Sequence, residues 1–129
     1  MKKLSILFTV IIGILSIGFR QPESKAEFKF EKETHDFGQI RQGEPVSINF
    51  TFINTGSEPL IISSVNSSCT CVQTGYTREP ILKGEKGIIT ISYDAATVQA
   101  GFTKAVMVKS NARTPIKVLY IKGEVQSPG

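Results

Sequence analysis

From residue 47 to residue 53 the chain alternates apolar and polar positions one by one. Ile48, Phe50 and Phe52 share one face; Ser47, Asn49 and Thr51 share the other. Period-two alternation predicts a strand with one face in a core and one toward solvent. The same period returns over residues 87–93, where Ile89, Ile91 and Tyr93 oppose Ile88, Thr90 and Ser92. Residues 60–65 form another β-rich run, and residues 102–109 and 116–125 predict two long closing strands. Shorter strands are expected at Phe28-Lys29-Phe30 and around Phe37-Gly38-Gln39-Ile40. Between them lie the turn clusters Asn54-Thr55-Gly56-Ser57-Glu58-Pro59, Gly84-Glu85-Lys86-Gly87 and Ser110-Asn111-Ala112-Arg113-Thr114-Pro115. Such clusters combine side chains that bond their own backbone with glycines that tolerate positive φ. About seven short strands at even spacing, with no helical stripe after the N-terminal segment, predict an all-β fold: an antiparallel immunoglobulin-like β-sandwich. Tryptophan is absent and the two cysteines are close in sequence. Aliphatic residues and phenylalanines must therefore fill the interior.

The N-terminal segment has a different pattern. Met1-Lys2-Lys3 is basic, residues 4–19 are an uncharged and mostly apolar run, and Ser24-Lys25-Ala26 places small residues three and one positions before a cleavage point. This is the layout of a secretory signal peptide, and the run is shorter than the ~20 residues of a membrane-spanning helix. A leader over residues 1–26 is expected, with an uncleaved anchor as the alternative. The domain then covers residues 27–126, with a frayed tail over 127–129. No cysteine stands near the cleavage point, which argues against a lipoprotein. A cut after Ala26 leaves 103 of the 129 residues, enough for one core and one domain. It also removes Lys2, Lys3, Arg20 and Lys25 against Glu23, so the domain keeps +1 of the formal net charge of +4. Nucleic-acid binding loses its electrostatic support. A periplasmic or otherwise extracytoplasmic location is expected, with no membrane span after cleavage.

Several short pieces, taken in order, resemble a known bacterial family. They are His35-Asp36-Phe37-Gly38-Gln39-Ile40, Gly43, Phe50-Thr51-Phe52-Ile53-Asn54-Thr55-Gly56, Pro59-Leu60-Ile61-Ile62, Ser68-Cys69-Thr70-Cys71, Gly84-Glu85, Gly101-Phe102-Thr103-Lys104, Ser110-Asn111 and Gly123. The family is the domain of unknown function numbered 1573, related to immunoglobulin-like domains of the ASPM–SPD-2–hydin and major-sperm-protein type. The resemblance covers nearly all of the chain after the leader. It implies an exported bacterial β-sandwich and implies no reaction. The usual family form of the cysteine unit is Cys-Gly-Cys, whereas Thr70 stands in the middle here. Threonine favours extended backbone, which weakens any inference that needs a bend at this position.

Cys69 and Cys71 are the one place where the sequence offers reactive chemistry. In an extended strand they would share a face, with Cα atoms ~6.6 Å apart from a rise of ~3.3 Å per residue. That separation is at the edge of the disulfide range, which reaches ~6.8 Å. Three readings stay open. The pair is a local structural disulfide or a set of buried thiols; or it cycles between dithiol and disulfide with an exported redox partner; or it binds a soft ion such as Cu(I) or Zn²⁺. A closed zinc site needs four ligands, and the further donors are His35, Met107 and carboxylates.

Other motifs carry less. Asp36-Phe37-Gly38 matches the kinase magnesium triplet, but no Gly-rich loop, β3 lysine or catalytic loop accompanies it. Phe37 is expected in the core and Gly38 at a turn. His35 is the single histidine, and a structural hydrogen-bonding role is expected for it. The acceptor patterns at Asn49 and Asn66 are not read as glycosylated. Lys104, Lys109, Arg113, Lys117 and Lys122 are read as a solvated face or as edge protection. The expected role is a non-catalytic module, without catalytic residues or cofactor, that binds a protein or envelope component and no nucleic acid. The alternative is a thiol-dependent accessory protein using Cys69 and Cys71.

Overall fold

The structure, a computed structural model, describes residues 25–128. Residues 1–24 of the leader expected over residues 1–26, and Gly129 of the tail, lie outside the described residues. Eight strands follow in order: β1 (Phe28–Phe30), β2 (Thr34–Arg41), β3 (Val46–Asn54), β4 (Ile62–Ser67), β5 (Val72–Tyr76), β6 (Lys86–Tyr93), β7 (Gln99–Ser110) and β8 (Ile116–Gln126). They form two four-stranded sheets in the orders β1-β3-β6-β5 and β2-β8-β7-β4.

The alternating runs become the inner faces, as their period requires. Phe50 and Phe52 on β3 and Ile89, Ile91 and Tyr93 on β6 are buried from one side. Val106 and Val108 on β7 with Leu119, Ile121 and Val125 on β8 close the core from the other. Each such side chain contributes on the order of 1.5–3 kcal/mol when removed from water. Phe28 and Phe30 lay their rings on Phe52, with centroids 4.9 and 5.3 Å away. This fixes the short β1 to its sheet.

Three features depart from the sequence reading. There are eight strands, because Val72–Tyr76 pairs with β6 as an edge strand. The sandwich is not wholly antiparallel: β2 runs parallel to β8. The strand expected around residues 37–40 begins at Thr34 and carries a bulge between Asp36 and Gln39. Gly38 makes that bulge with φ of +69°, and its N–H donates to Asp36 Oδ1 at 2.8 Å. Phe37 packs partly buried against the core. The Asp-Phe-Gly triplet is thus a bulge motif.

Among the described residues one polar residue is fully buried: Asn54, at the end of β3. Its amide donates to the carbonyls of Glu58 and Ile81 at 2.8 and 2.9 Å. Its Oδ1 accepts the N–H groups of Gly56 and Glu27 at 2.9 and 3.2 Å. All four bonding directions are used, as burial of an amide demands. The packed unit also reaches further toward the N-terminus than residue 27. Ala26 is fully buried in the core, and its carbonyl accepts the N–H of Arg113 at 2.9 Å. Gly56 permits this, since a Cβ there would collide with the Lys25 carbonyl.

Candidate functional site

The cysteine pair sits in the connection between β4 and β5, where the chain crosses from one sheet to the other. The N–H of Val72 donates to the carbonyl of Cys69 at 3.2 Å, closing a four-residue turn. A bend therefore occurs here although Thr70 favours extended backbone. Neither Thr70 nor Cys71 has positive φ. That excludes the turn types that call for glycine and leaves a type I geometry, compatible with most residues. The bend brings the two Cα atoms to 5.1 Å, well inside the disulfide range, and the two Sγ atoms are bonded.

Local polar groups hold the turn. Cys71 N–H donates to Cys69 Sγ at 3.2 Å, and Cys69 N–H to Ser67 Oγ at 3.4 Å. Ser67 in turn donates to the Ala105 carbonyl at 3.1 Å, and Asp94 N–H donates to the Cys71 carbonyl at 3.0 Å. Both cysteines are half-buried against the core. Cys71 lines an open hollow of about 170 Å³ with Pro45, Thr70, Gln73, Ser92, Tyr93 and Asp94. Burial, and then the nearby Asp94 carboxylate, push the Tyr93 hydroxyl above its ordinary pKa, so it stays protonated at neutral pH.

The strand that follows the turn is an open edge. Cys71 O accepts from Asp94, and Thr77 N–H donates to Ile88 O. In an antiparallel pair this alternation directs the backbone groups of residues 71, 73, 75 and 77 toward β6. Those of Thr74 and Tyr76, with the carbonyl of Val72, point away from it. Among the described residues no strand lies beyond β5 in its sheet. The neighbouring edge β4 is partly covered instead: Thr74 Oγ1 donates to the Val65 carbonyl at 2.8 Å, and Tyr76 hydroxyl reaches the Ser63 carbonyl at 3.5 Å. Arg78 caps the Tyr76 ring, its guanidinium 4.6 Å from the centroid.

The other sequence candidates are not gathered here. His35 lies on β2, the opposite edge of its sheet from β4. Its Nδ1 accepts from Lys32 Nζ at 2.7 Å, and its ring meets Phe37 edge-on at 4.7 Å. Desolvation, then the Lys32 charge, lower its pKa below 6.5, with Asp36 opposing. Met107 is exposed on β7, opposite Asn66 of β4. Among the described residues no three His, Cys, Asp or Glu side chains cluster as a metal site would require. Lys117 pairs with Glu33, and Lys122 stands in register with Asp36. Among the described residues no helix is long and apolar enough to cross a membrane. The sequence reading missed the β5 edge itself. Its signal was the alternation of Val72, Thr74 and Tyr76, obscured by Gly75.

The fold is shared with solved structures of low sequence identity. A Porphyromonas gingivalis W83 protein of unknown function superposes with a TM-score of 0.70 at 18% identity, covering 84% of this chain and 51% of that one. The seventh PapD-like (ASH) domain of human CEP192 gives 0.67 at 7% identity, covering 88% and 97%. The Vibrio cholerae protease VesB gives 0.59 at 14%, covering 78% and 32%. The chain thus spans about half of the first protein and about a third of the last. At these identities the likeness shows the fold alone. No curated protein matches the sequence. The family described as protein of unknown function (DUF1573) matches residues 28–125, from the first strand almost to the end of the last, and the chain belongs to it.

Proposed function

We propose that this chain is a non-catalytic binding or structural module of the cell envelope, exported by its N-terminal leader. It engages a protein or envelope component along β5 and the turn that precedes it. The observation that carries this reading is the outward backbone of Thr74 and Tyr76, with the carbonyl of Val72, on an edge strand. An edge of this kind accepts an added strand from a partner, with main-chain bonds giving affinity and side-chain hollows giving selectivity. Beside it, Gly75, Tyr76, Thr77, Arg78, Glu79, Ile88 and Thr90 surround a shallow hollow of about 390 Å³.

A second reading rests on a separate observation, the bonded and half-buried Cys69–Cys71 pair beside an open hollow. In it the protein is a thiol-dependent accessory that exchanges its disulfide with an exported redox partner. In the reduced state, two thiols in one turn would also suit a soft ion such as Cu(I).

One experiment separates the readings. A photo-crosslinking residue at the exposed Gln73 is placed in the wild-type chain, in Thr74→Pro, and in the double variant Cys69→Ser with Cys71→Ser. The binding reading expects a defined crosslink that Thr74→Pro abolishes and the double serine variant keeps. Loss of the crosslink only in the double serine variant, with the domain still folded, would favour thiol exchange. A crosslink unaffected by either change would remove β5 from the interface.

A further inference from the structure

The two sulfurs of the turn are not equivalent. Cys71 lines the hollow between Pro45, Gln73 and Asp94, and Cys69 does not. Cys69 Sγ instead accepts the N–H of Cys71 at 3.2 Å. A thiolate attacking a disulfide takes the sulfur it can reach, and the other sulfur leaves faster when its developing charge is stabilised. Access and stabilisation both point the same way.

Building on the thiol-exchange reading, we propose that an exported dithiol protein reduces this disulfide by attacking Cys71 through the hollow, with Cys69 as the leaving sulfur. The partner's thiolate sulfur bonds to Cys71 Sγ as the Cys69–Cys71 bond breaks. The bonding pair departs on Cys69 Sγ, where the Cys71 N–H holds the thiolate until it takes a proton from water. The partner's second thiolate then attacks the partner sulfur of the mixed disulfide. The partner leaves oxidised, and Cys71 leaves as a thiolate that takes a second proton. Two electrons have passed from the partner dithiol to the pair.

Asp94 tunes the approach. The residue lines the hollow that the incoming anion must enter, and it carries a negative charge there. Repulsion across water at this range slows an anion by about two- to threefold at low salt, and added salt removes the effect. Asp94→Asn is therefore expected to accelerate reduction by glutathione, more than by mercaptoethanol, whose thiolate carries less charge.

The test uses the exported wild-type chain with its disulfide intact, so that no cysteine variant has to fold. Intact mass with and without alkylation first establishes the bond. Two freely alkylated thiols at this step would remove the thiol-exchange reading, and this proposal with it. The oxidised chain is then mixed with glutathione, quenched in acid at early times and mapped by peptide mass. The expected product carries glutathione on Cys71 in roughly fivefold or greater excess over Cys69. An even split, or an adduct on Cys69, would overturn the direction of attack while leaving the thiol-exchange reading standing. An unchanged glutathione rate in Asp94→Asn at low salt would overturn the route through the hollow.

Discussion

Asn54 does more than any other polar side chain to fix where β3 ends. It ties the loop that follows, the N-terminal segment at Glu27 and the short bridge at Ile81 to one buried amide. Asn54→Asp keeps the shape and both accepted bonds but removes both donors. A carboxylate would then face the carbonyls of Glu58 and Ile81 in a fully buried site. The Ile81 carbonyl keeps the Leu60 N–H, so the loss of two donated bonds and above all the desolvated carboxylate cost on the order of 3 kcal/mol or more. Thermal unfolding of Asn54→Asp is expected at least ~10 °C below the wild type. The loss should shrink at acid pH, where protonation restores one donor. His35 has the opposite character, being partly exposed and titratable, with its pKa held below the ordinary value. Because folding lowers its pKa, the unfolded chain binds the proton more readily. Its contribution is complete above 6.5 and is lost as pH falls through the lower folded value. The urea midpoint of the wild type should thus fall more between pH 7.5 and pH 5 than that of His35→Gln. Parallel curves for the two would exclude His35 as a source of pH dependence.

At the scale of elements, legibility followed burial. β3 and β6 are central strands with one face in the core, so their alternation is strict and their residues were assigned to the correct faces from sequence. β5 is not legible in the sequence, because an edge strand of five residues buries only Val72 and contains Gly75. The parallel pairing of β2 with β8 was equally hidden. Alternation reports which face is buried and carries no information about which strand lies alongside or in which direction it runs. Thr70 shows a third limit. Its preference for extended backbone is real but weak, and here the short crossing between two edge strands outweighs it. The chain has to turn within four residues, and a type I turn asks for no special side chain. The cysteine pair was legible as a pair and as chemistry. Its geometry, its hollow and the inequality of its sulfurs depend on Pro45, Ser92 and Asp94, which are distant in sequence.

For the whole molecule, the N-terminal boundary matters most. A cleavage point after Ala26 is only an expectation from the sequence, and the domain uses the two residues before it. Lys25 carbonyl accepts the N–H of Ser57 at 3.3 Å, Ala26 carbonyl accepts that of Arg113 at 2.9 Å, and the Ala26 methyl is buried. A chain beginning at Glu27 loses both bonds and the methyl. It also places a charged amine where Glu27 N–H now donates to buried Asn54. Two hydrogen bonds at ~1 kcal/mol each, with a small apolar term, put the difference at about 2 kcal/mol. For a domain of about 100 residues that is roughly 10 °C in melting temperature. Two otherwise identical chains, beginning at Lys25 and at Glu27, are expected to melt that far apart. Processing after Ala26 would then yield the less stable form, whereas processing upstream or retention of the leader would keep the packed segment. Equal melting temperatures would show instead that the core closes without Ala26, and that the domain begins in energetic terms at β1.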